Sequence, residues 1–593
     1  MAPAATSPWR FENVDRVVAL SDIHGAYEPM VAALRNAGVL DDQLAWSGES
    51  THLVVVGDIL DRGPDSRRAM DLLIRLETES LLAGGMVHVL IGNHEAMNLI
   101  GDLRYVSEEE YAAFAADEDA IDREHWFKEY SSRRAARRKS AKELRSSFDH
   151  SFPSGFFAHR RAFAPEGRYG NWLLSKPIIV VINDTAFVHG GLAPMVSEIG
   201  LDGVNGSLRS DMVGFAHQLQ VLIEAGALLP TDNFRQQPDL LDAYLPRLDS
   251  DKKIRKAMSA IKQLNESVLH TKEGPLWYRG NIACGSLIEV DRLKDSLKAV
   301  GAKRVVIGHT PTPNRRVLAR FDGLVIEVDT GMLNSHYRGS ANVLVIENDE
   351  VFVVNENSDE PIEPMPHPRY VGRRPGGFLE AGEIENLLKN GAVMSKIEND
   401  SGQLVVSLSD GKRTIDAVFT GPHRPGIYPE VAAYRLDLML GLDMVPVTIK
   451  RVLDGVHGSL QFLPRAWIDE RQRKSANAGG SAQCPLSDQR DLMFVFDSLI
   501  FHRTRPARTI RYDKGNFQMM LVGHDRAFDT GTGRPRHLKN VTLKVGPSWR
   551  AALSSLTDEV LDEELGDVLD TKRLRALGER RDKLLSESAA SIR

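Results

Sequence analysis

The stretch VVVGDILDRGPDS, residues 54–66, places three β-branched residues directly before a cluster of charges. Valines in a row are typical of a buried strand, and a following glycine is a common end to one. Two carboxylates, Asp58 and Asp61, and the guanidinium of Arg62 then share one short loop. Gly57 stands where that loop must turn, because glycine adopts backbone angles that other residues avoid. The stretch therefore predicts a sheet edge that brings charged groups to one point.

The same unit recurs along the first half of the chain: a short apolar run, a polar loop and a segment with helical periodicity. The runs and their loops are RVVAL with SDIHG, HLVVV with GDILDRG, VHVLI with GNHE, IIVVINDTAFV with HGG, and RVVI with GHT. Continuous apolar runs are typical of strands covered on both faces, and such repeats predict a layered α/β sheet domain. Loops that follow strand ends carry functional groups in these folds. We therefore expect the five loops to meet on one rim.

Each loop carries residue types that bind metal ions. The candidate ligands are Asp22, His24, Asp58, Asn93, His189 and His309. Carboxylate, imidazole and amide ligands without a thiolate suit Mn²⁺, Fe or Zn²⁺ in a catalytic centre. Six ligands exceed the needs of one tetrahedral ion, and a shared carboxylate would bridge two. A lone histidine such as His309 is more often structural, so this prediction depends on the combination.

Composition limits the alternatives. A chain of 593 residues is too long for one hydrophobic core, so at least two domains are expected. The net charge of −7 favours solubility and argues against a general nucleic-acid role. No apolar run approaches the roughly 18–20 residues that span a bilayer, and the N-terminus lacks the pattern of a signal peptide. Cys284 and Cys484 are expected in different domains without a disulfide, so a reducing, cytoplasmic location is predicted.

The organisation follows from changes in composition along the chain. We predict a tail at 1–11, an α/β domain at 12–355, a Pro- and Gly-rich linker at 356–377 and an α+β domain at 378–593. Insertions near 103–170 and 200–275 interrupt the first domain. The insertion at 103–170 has an acidic and a basic helix-prone half, which predicts a helical cap over the site. A nucleic-acid-binding stripe is the alternative for the basic half.

The loop motifs SDIHG, GDILDRG, GNHE, HGG and GHT stand in the order found in PPP-type metallophosphatases. Within them the chain resembles the Shewanella-like, or bacterial-like, phosphatases, whose signatures are similar to GNHEAMNLIGDLRYVSEEEY, PLWYRG and DTGM. The resemblance spans residues 12–355, and Ser21 departs from it where many relatives carry glycine. It implies a calcineurin-like sandwich fold and a hydrolase of phosphomonoesters on phosphorylated serine, threonine or tyrosine.

The resemblance also implies a role for each motif residue. The implied ligands are Asp22 and His24 for a first metal ion, Asn93, His189 and His309 for a second, and Asp58 as the bridge. Two ions, most consistent with Mn²⁺, would activate a water for attack on phosphorus. His94 would protonate the leaving oxygen while Asp61 orients its ring. Arg62 would clamp the phosphate with a planar fork of donors, and Arg279 is the second candidate clamp.

The second half resembles, with weaker motifs, the phosphoinositide-kinase-like and secretory-kinase-like fold, mainly in residues 497–528. The departures from that pattern are Thr504 at the catalytic aspartate, Thr509 at the metal-binding asparagine, Gly523 at the metal-binding aspartate and Thr420 at the strand lysine. Glu430 keeps the helix glutamate without an expected ion-pair partner, and Asp525 would replace Gly523 if the register shifts by two. Phosphoryl transfer needs those groups, so a pseudokinase-like regulatory or docking domain is predicted. An active kinase and an unrelated α+β binding domain are the alternatives.

Two other functions stay open for the whole chain. One is a catalytically inactive phosphate-binding scaffold, and the other is a hydrolase of nucleotides or small phosphoesters. The expected partners are a phosphorylated protein substrate and a docking partner of the C-terminal domain, with neither nucleic acid nor membrane. Trp277 and Tyr278 fit an aromatic wall of the site and core packing equally well.

Overall fold

The chain divides into two compact units. The computed structural model describes residues 7–134, 140–244, 251–368, 373–374, 377–378, 380–399, 403–422, 424–464 and 466–590. The first unit comprises Met1–Ile282 and Leu293–Pro366, and the second comprises Ala283–Arg292 and His367–Arg593. The second unit is therefore assembled from two separate stretches of the chain. Across the described ranges, the helices are too short or too polar to cross a bilayer.

Two sheets form the frame of the first unit. Their strands are β1 (Arg10–Phe11), β2 (Arg16–Leu20), β3 (His52–Val55), β4 (Met86–Val89), β5 (Ile179–Ile182), β6 (Thr185–Val188), β7 (Arg304–Ile307), β8 (Leu318–Arg320), β9 (Val325–Glu327), β10 (Asn342–Glu347), β11 (Glu350–Asn355), β12 (Ser358–Ile362) and β13 (Met365–Pro366). One sheet has the order β1-β5-β6-β7-β9-β8-β13 and the other β12-β11-β10-β2-β3-β4. The pairs β2–β3, β3–β4 and β6–β7 are parallel, so their carboxyl ends share one edge of each sheet. The predicted layered α/β sandwich is confirmed.

Alternation along the strands builds two cores. Val17, Val54, Phe187 and Val306, from both sheets, pack into one buried cluster, which joins the sheets face to face. The residues between them, such as Val18, face a second cluster that the helices cover. Strands buried on both faces explain the continuous apolar runs in the sequence.

Helices cover the sandwich and fill both predicted insertions. They are α1 (Tyr27–Asn36), α2 (Ser66–Leu82), α3 (Asn93–Ile100), α4 (Glu108–Ala112), α5 (Ala120–Arg134), α6 (Ala141–Ser151), α7 (Phe156–Ala162), α8 (Arg168–Leu174), α9 (Met195–Glu224), α10 (Gln237–Tyr244), α11 (Lys252–Leu264), α12 (Gly280–Ala283), α13 (Ser286–Val300) and α14 (Asn334–Tyr337). Acidic and basic residues of the 103–170 insertion pair with each other, as Arg145 does with Glu124 at 2.6 Å. The middle of the basic run, residues 135–139, lies outside the described residues, so the alternative of a nucleic-acid-binding stripe stays a prediction.

Two segments at the predicted boundaries of the first domain are strands, which corrects the sequence analysis. Arg10 and Phe11 of the expected tail pair with β5 in parallel. Residues 358–366 of the expected linker form β12 and β13, which pair with β11 and β8. Edge strands of this kind are held by main-chain hydrogen bonds, so their polar, Pro-containing sequences do not show the apolar pattern of a core strand.

The second unit is an α+β unit. Its strands are β14 (Arg373–Arg374), β15 (Gly377–Phe378), β16 (Ala392–Glu398), β17 (Leu404–Ser409), β18 (Thr414–Thr420), β19 (Thr448–Leu453), β20 (Val456–Phe462), β21 (Trp467–Asp469), β22 (Ile510–Asp513) and β23 (Met519–Leu521). Its further helices are α15 (Ala381–Asn390), α16 (Pro429–Leu440), α17 (Glu470–Ser475), α18 (Leu486–Leu499), α19 (Pro547–Ser555), α20 (Asp558–Leu565) and α21 (Thr571–Ala590). An antiparallel sheet of order β16-β17-β18-β20-β19 lies beside a three-stranded sheet, β21-β22-β23.

A disulfide joins Cys284 and Cys484 within the second unit. The expectation that these cysteines lie in different domains without a bond is wrong, because the stretch Ala283–Arg292 belongs to the second unit. Arg292 and Asp488, 2.6 Å apart, pair in the same region. Disulfides are rare in reducing compartments, so cysteine usage no longer favours the cytoplasm.

Candidate metal centre

The five loops meet as predicted at one rim of the sandwich, and their backbones are unusual there. Six residues lie in the left-handed region of φ, namely Asp22, His24, Asp58, Asp61, Arg62 and His309, with φ between 47° and 72°. Such backbone is uncommon outside glycine and tends to occur at functional sites. Gly57 has a φ of 84°, and a Cβ there would lie 2.6 Å from the backbone of Gly92. At Gly63 a Cβ would lie 2.2 Å from the carbonyl oxygen of His24, so both turns require glycine.

Asp58 is the centre of the cluster. One of its carboxylate oxygens lies 3.3 Å from Nε2 of His189, and the other lies 3.8 Å from Nε2 of His24 and of His94. Two groups of potential ligands share this carboxylate: His24, Asp58 and His94 in one, and Asp58, His189 and His309 in the other. Within each group the ligand atoms lie within 4.8 Å of one another. This arrangement suits one carboxylate between two cations.

Asp22 and Asn93 complete the predicted ligand set. Oδ1 of Asp22 lies 3.8 Å from Nε2 of His24, and Oδ1 of Asn93 lies 3.0 Å from Nε2 of His189. The other oxygen of Asp22 accepts hydrogen bonds from the backbone N–H of His309, at 2.9 Å, and from the hydroxyl of Ser21. Ser21 thus touches a predicted ligand, and its hydroxyl fixes the Asp22 side chain.

The donor set fits divalent cations. Nδ1 of His24 donates to the carbonyl of Leu60 at 2.8 Å, and Nδ1 of His189 donates to that of Val56 at 2.8 Å, so Nε2 is the nitrogen of each ring that can bind a cation. In the described part of the chain, Nε2 of buried His309 has no hydrogen-bond partner. Arg62 donates to Nε2 of His24 at 2.8 Å, so a cation bound at that nitrogen requires Arg62 to turn away.

Electrostatics favour a negative Asp58, neutral rings at His24 and His309, and protonated rings at His189 and His94. Burial works against its charge, but His189 and His94 hold the pKa of Asp58 well below its usual range. Burial lowers the pKa of His24 and His309 well below the ordinary histidine value. Although burial opposes it, Asp58 raises the pKa of His189 to about 10, so cation binding there releases a proton.

His94 faces a carboxylate network. Its Nδ1 lies 2.5 Å from Oδ2 of Asp61, and Nδ2 of Asn98 donates to the other oxygen of Asp61 at 2.9 Å. Burial opposes the charged ring, but Asp58 and Asp61 raise the pKa of His94. A protonated imidazole held by a fixed carboxylate can deliver a proton to a leaving oxygen.

Two tyrosines hold Arg62 between them. The guanidinium carbon lies 5.1 Å from the ring centre of Tyr105 and 5.2 Å from that of Tyr337. Tyr105 follows α3, and its carbonyl accepts the backbone N–H of Arg62 at 3.0 Å. The rings restrict the guanidinium through cation–π contacts and leave its planar fork to meet an oxyanion.

Arg279 is the second predicted clamp, and it lies within electrostatic range of Asp58 and Asp22. Its Nε donates to the hydroxyl of Thr310 at 3.2 Å. Burial lowers its pKa, while Asp58 and Asp22 act in the opposite direction. Trp277 places its ring edge-on to His309, with 5.7 Å between ring centres, and therefore lines the metal cluster. Tyr278 is buried, which favours core packing for that ring.

Sequence reasoning missed Glu95, whose buried carboxylate holds the loop that carries Asp58. One oxygen accepts the backbone N–H groups of Asp58 and Gly92, each at 2.8 Å, and the other accepts that of Ile59 at 2.8 Å. The signal was available, because a glutamate at the third position of a helix commonly caps the backbone before it. Asn98 lies four residues after His94 on α3, and residues at that spacing are neighbours on a helix, so its contact with this part of the site could also be predicted.

The kinase-like positions of the second unit carry a different set of contacts. Glu430 accepts a hydrogen bond from the backbone of His524 at 2.6 Å and lies 3.0 Å from its Nδ1. The expectation that Glu430 lacks a partner is therefore wrong. Thr509 donates to the carbonyl of Pro506 at 2.8 Å, and Thr504 is exposed. Thr420 lies at the end of β18, and Gly523 has a φ of 74°.

Comparisons with known proteins concern the first unit. The sequence profile of the calcineurin-like phosphoesterases matches residues 15–313, about half of the chain. The chain is similar to Shewanella-like protein phosphatase 2 of Arabidopsis thaliana, with 34% identity over 224 residues, which are 35% of this chain and 54% of that protein. Shewanella-like protein phosphatase 1 of Plasmodium berghei is 23% identical over 335 residues, 54% of this chain and 69% of that protein.

A solved structure adds a further likeness. The cold-active protein-tyrosine phosphatase of a psychrophilic Shewanella species is 25% identical, with a TM-score of 0.40, and the match covers 60% of this chain and 82% of that one. The chain spans about half the length of the Arabidopsis relative.

Proposed function

This chain belongs to the calcineurin-like phosphoesterase family, and on that premise we propose that it is a metal-dependent phosphatase of phosphorylated proteins. Its enzyme class, phosphoesterase, is the one that the sequence predicts. The substrates we propose are phosphomonoesters on serine or threonine, tyrosine, or both. The relatives whose names include protein phosphatase support phosphoproteins as the substrate class.

The observation that carries the proposal is the shared carboxylate of Asp58. Its two oxygens lie 3.8 Å from Nε2 of His24 and 3.3 Å from Nε2 of His189. Asp22 beside His24 and Asn93 beside His189 extend the two predicted ligand groups, and His94 is reserved for proton delivery. A pair of divalent cations at such a site binds phosphate oxygens and lowers the pKa of a water molecule. We propose Mn²⁺, with Fe or Zn²⁺ as alternatives, because the ligands are carboxylate, imidazole and amide groups.

The chain's own groups complete the proposed mechanism. Arg62 and Arg279 bind the non-bridging oxygens of the phosphoryl group and orient it. His94 holds a proton on Nε2 and delivers it to the leaving oxygen, while Asp61 at its Nδ1 fixes the ring and the charged form. Tyr105 and Tyr337 keep the guanidinium of Arg62 in place.

For the second unit we propose a pseudokinase-like role in docking or regulation. Threonine and glycine stand where a kinase of this type would carry its catalytic and metal-binding side chains, at Thr504, Thr509 and Gly523. Without those groups neither Mg²⁺ nor ATP phosphates would be organised for transfer. An unrelated α+β binding unit is the second candidate, and a phosphorylated partner is the proposed ligand of either.

The location of the protein is a separate proposal. The sequence alone predicts the cytoplasm, whereas the bond between Cys284 and Cys484 favours an oxidising compartment. Trapping free thiols in intact cells before lysis distinguishes the two, because only a cytoplasmic chain should be alkylated at both cysteines.

The test uses the full chain and a generic aryl phosphate with Mn²⁺. We expect turnover that EDTA abolishes and that added Mn²⁺ restores. Asp58→Asn should lower kcat by at least about a thousandfold, because it removes the charge shared by both cation sites. Asp42→Asn, at an exposed position, is the matched control.

The outcomes separate the candidate functions. Metal binding without turnover on any phosphoester would favour the phosphate-binding scaffold. Faster hydrolysis of nucleotides than of phosphopeptides would favour the small-phosphoester hydrolase. Turnover of phosphopeptides that depends on Asp58 supports the phosphoprotein phosphatase.

A further inference from the structure

A pocket in the second unit is lined by arginines. It measures about 250 Å³, and its charged lining residues are Arg424, Arg503, Asp525, Arg526, Asp529 and Arg573. Four guanidinium groups thus face two carboxylates. The net charge of this lining is opposite to that of the whole chain, which is −7. A local excess of positive charge in a concave surface concentrates anions.

Two of the arginines are fixed by carboxylates. Nε of Arg503 donates to Asp529 at 2.6 Å, and Arg573 pairs with Asp570, which lies outside the pocket. Asp529 is also an acceptor for the backbone N–H of Thr530 at 2.7 Å. These pairs hold Arg503 and Arg573 in place as walls of the pocket.

The other two arginines remain available to a ligand. Arg526 approaches Asp525 only at 3.7 Å, and 76% of its side-chain surface is exposed. Arg424 forms no ion pair with any residue that the structure describes. A guanidinium fork that is not hydrogen-bonded to a carboxylate can donate two parallel hydrogen bonds to an oxyanion.

The first turn of α16 adds to the same field. Pro429, the first residue of this helix of 12 residues, lines the pocket, and Tyr428 before it supplies no side-chain cap. The positive end of the helix dipole therefore adjoins the arginines. This contribution is secondary to the guanidinium groups.

The size of the pocket selects among phosphorylated ligands. Sites for whole small molecules usually measure about 300–1,000 Å³, and this pocket is smaller. The adjoining space between Thr420, Glu430 and Ser459, where a kinase-like unit would hold a nucleotide, measures only about 10 Å³. The volume accommodates a phosphate group on a single side chain and lies below the usual range for a whole small molecule such as a nucleotide.

We propose that this arginine pocket binds a phosphorylated side chain presented by a protein segment. The proposal deepens the docking role given above to the second unit, and it does not depend on the hydrolytic activity of the first. Arginine clusters recognise phosphorylated motifs elsewhere by the same bidentate contacts. Here the pocket would hold a phosphoprotein by one of its phosphates.

The test is peptide binding to the full chain, followed by fluorescence anisotropy. The probe is a fluorescein-labelled peptide with one phosphoserine among alanine and glycine residues. EDTA and an Arg62→Ala background stop the first unit from cleaving or clamping it. We expect Arg424→Ala with Arg526→Ala to weaken binding at least tenfold, whereas Arg575→Ala, with 83% of its side-chain surface exposed on α21, leaves affinity unchanged.

Four outcomes would overturn the proposal: the absence of binding, an affinity that the double substitution does not alter, equal affinity for the unphosphorylated peptide, and tighter binding of AMP than of the peptide. Thermal unfolding of each variant shows that the fold is retained. Hydrolysis of an aryl phosphate by Arg424→Ala with Arg526→Ala, in an otherwise unaltered chain with Mn²⁺, is expected at the normal rate. The docking proposal and the phosphatase proposal can therefore fail separately.

Discussion

Nδ1 of His94 lies 2.5 Å from Oδ2 of Asp61, and both side chains are buried. Asp61 is itself held by Asn98 at 2.9 Å, so the contact has a fixed direction. A histidine bonded in this way through Nδ1 presents Nε2 to the site, in the orientation that proton delivery needs.

We expect His94→Gln to lower kcat by about 10²–10⁴-fold, the usual range for a lost general acid. The loss should be greatest for alkyl phosphates, whose leaving oxygen needs the proton, and smallest for dinitrophenyl phosphate. Steady-state kinetics on the two substrates measure the difference, with His217→Gln at an exposed position as control. Equal losses on both substrates would assign His94 to another role.

Glu95→Gln should weaken the affinity for Mn²⁺ by about 10–100-fold, as is typical when a group that supports a metal ligand is altered. In the unaltered chain, the backbone N–H groups of Asp58 and Gly92 donate to one carboxylate oxygen of Glu95. Glutamine has one oxygen fewer to accept such bonds, and its NH₂ group would face a backbone donor. Calorimetric titration of the metal-free protein gives the affinity. Glu266→Gln, at an exposed position, should leave it unchanged, and an unaltered affinity in Glu95→Gln would contradict the positioning role.

The stability of the first unit should depend on pH through His88 on β4. Burial, followed by repulsion from His52, lowers the pKa of His88 to about 3, whereas the unfolded chain takes up the proton near 6.5. The contribution of His88 is therefore complete above pH 6.5 and is lost as the pH falls toward 3. Between these two pKa values, the uptake of one proton on unfolding changes the unfolding free energy by about 1.4 kcal/mol per pH unit.

Urea unfolding at pH 7, 6 and 5 tests this dependence. His88→Gln should show a shallower fall of unfolding free energy than the unaltered chain, while His457→Gln, at an exposed position, should show the same fall. An unchanged slope in His88→Gln would show that the ring is already protonated in the folded state.

Reduction of the bond between Cys284 and Cys484 should lower the unfolding free energy of the second unit by about 2–4 kcal/mol. The bond closes a long loop, since its ends are 200 residues apart. Thermal unfolding with and without dithiothreitol, and of Cys484→Ser, gives the difference. Alkylation of both cysteines in the unreduced native protein would disprove the bond.

The sequence predicts the rim of the sandwich well, because parallel strands such as β2 and β3 deliver the loops at their carboxyl ends to one edge. The groups that support the site are harder to predict. Glu95 acts on the backbone of a loop 36 residues earlier, and Tyr337 reaches Arg62 from a distant segment. Such contacts depend on tertiary packing, which periodicity along the chain does not encode.

The second unit shows the same limit. The hairpin at β17 and β18, with Asp410 and Gly411 at its turn, follows the local pattern. The inclusion of Ala283–Arg292 in the second unit does not follow from a local pattern, because the unit boundary after Arg292 falls inside α13. The pairing of Cys284 with Cys484 likewise cannot be predicted until residues 283–292 are known to belong to the second unit.

The discontinuity of the second unit limits how such a protein can be shortened or recombined. Leu287 and Ile288 pack on the core of the second unit, and Asp291 accepts the hydroxyl hydrogen bond of Ser548 at 2.6 Å. Ending the chain after Pro366 would expose the side chains of Leu287 and Ile288 and leave Cys284 without its disulfide partner. The second unit therefore needs residues 283–292 to be complete, and a substitution among them acts on side chains that lie 200 to 257 residues further along the chain.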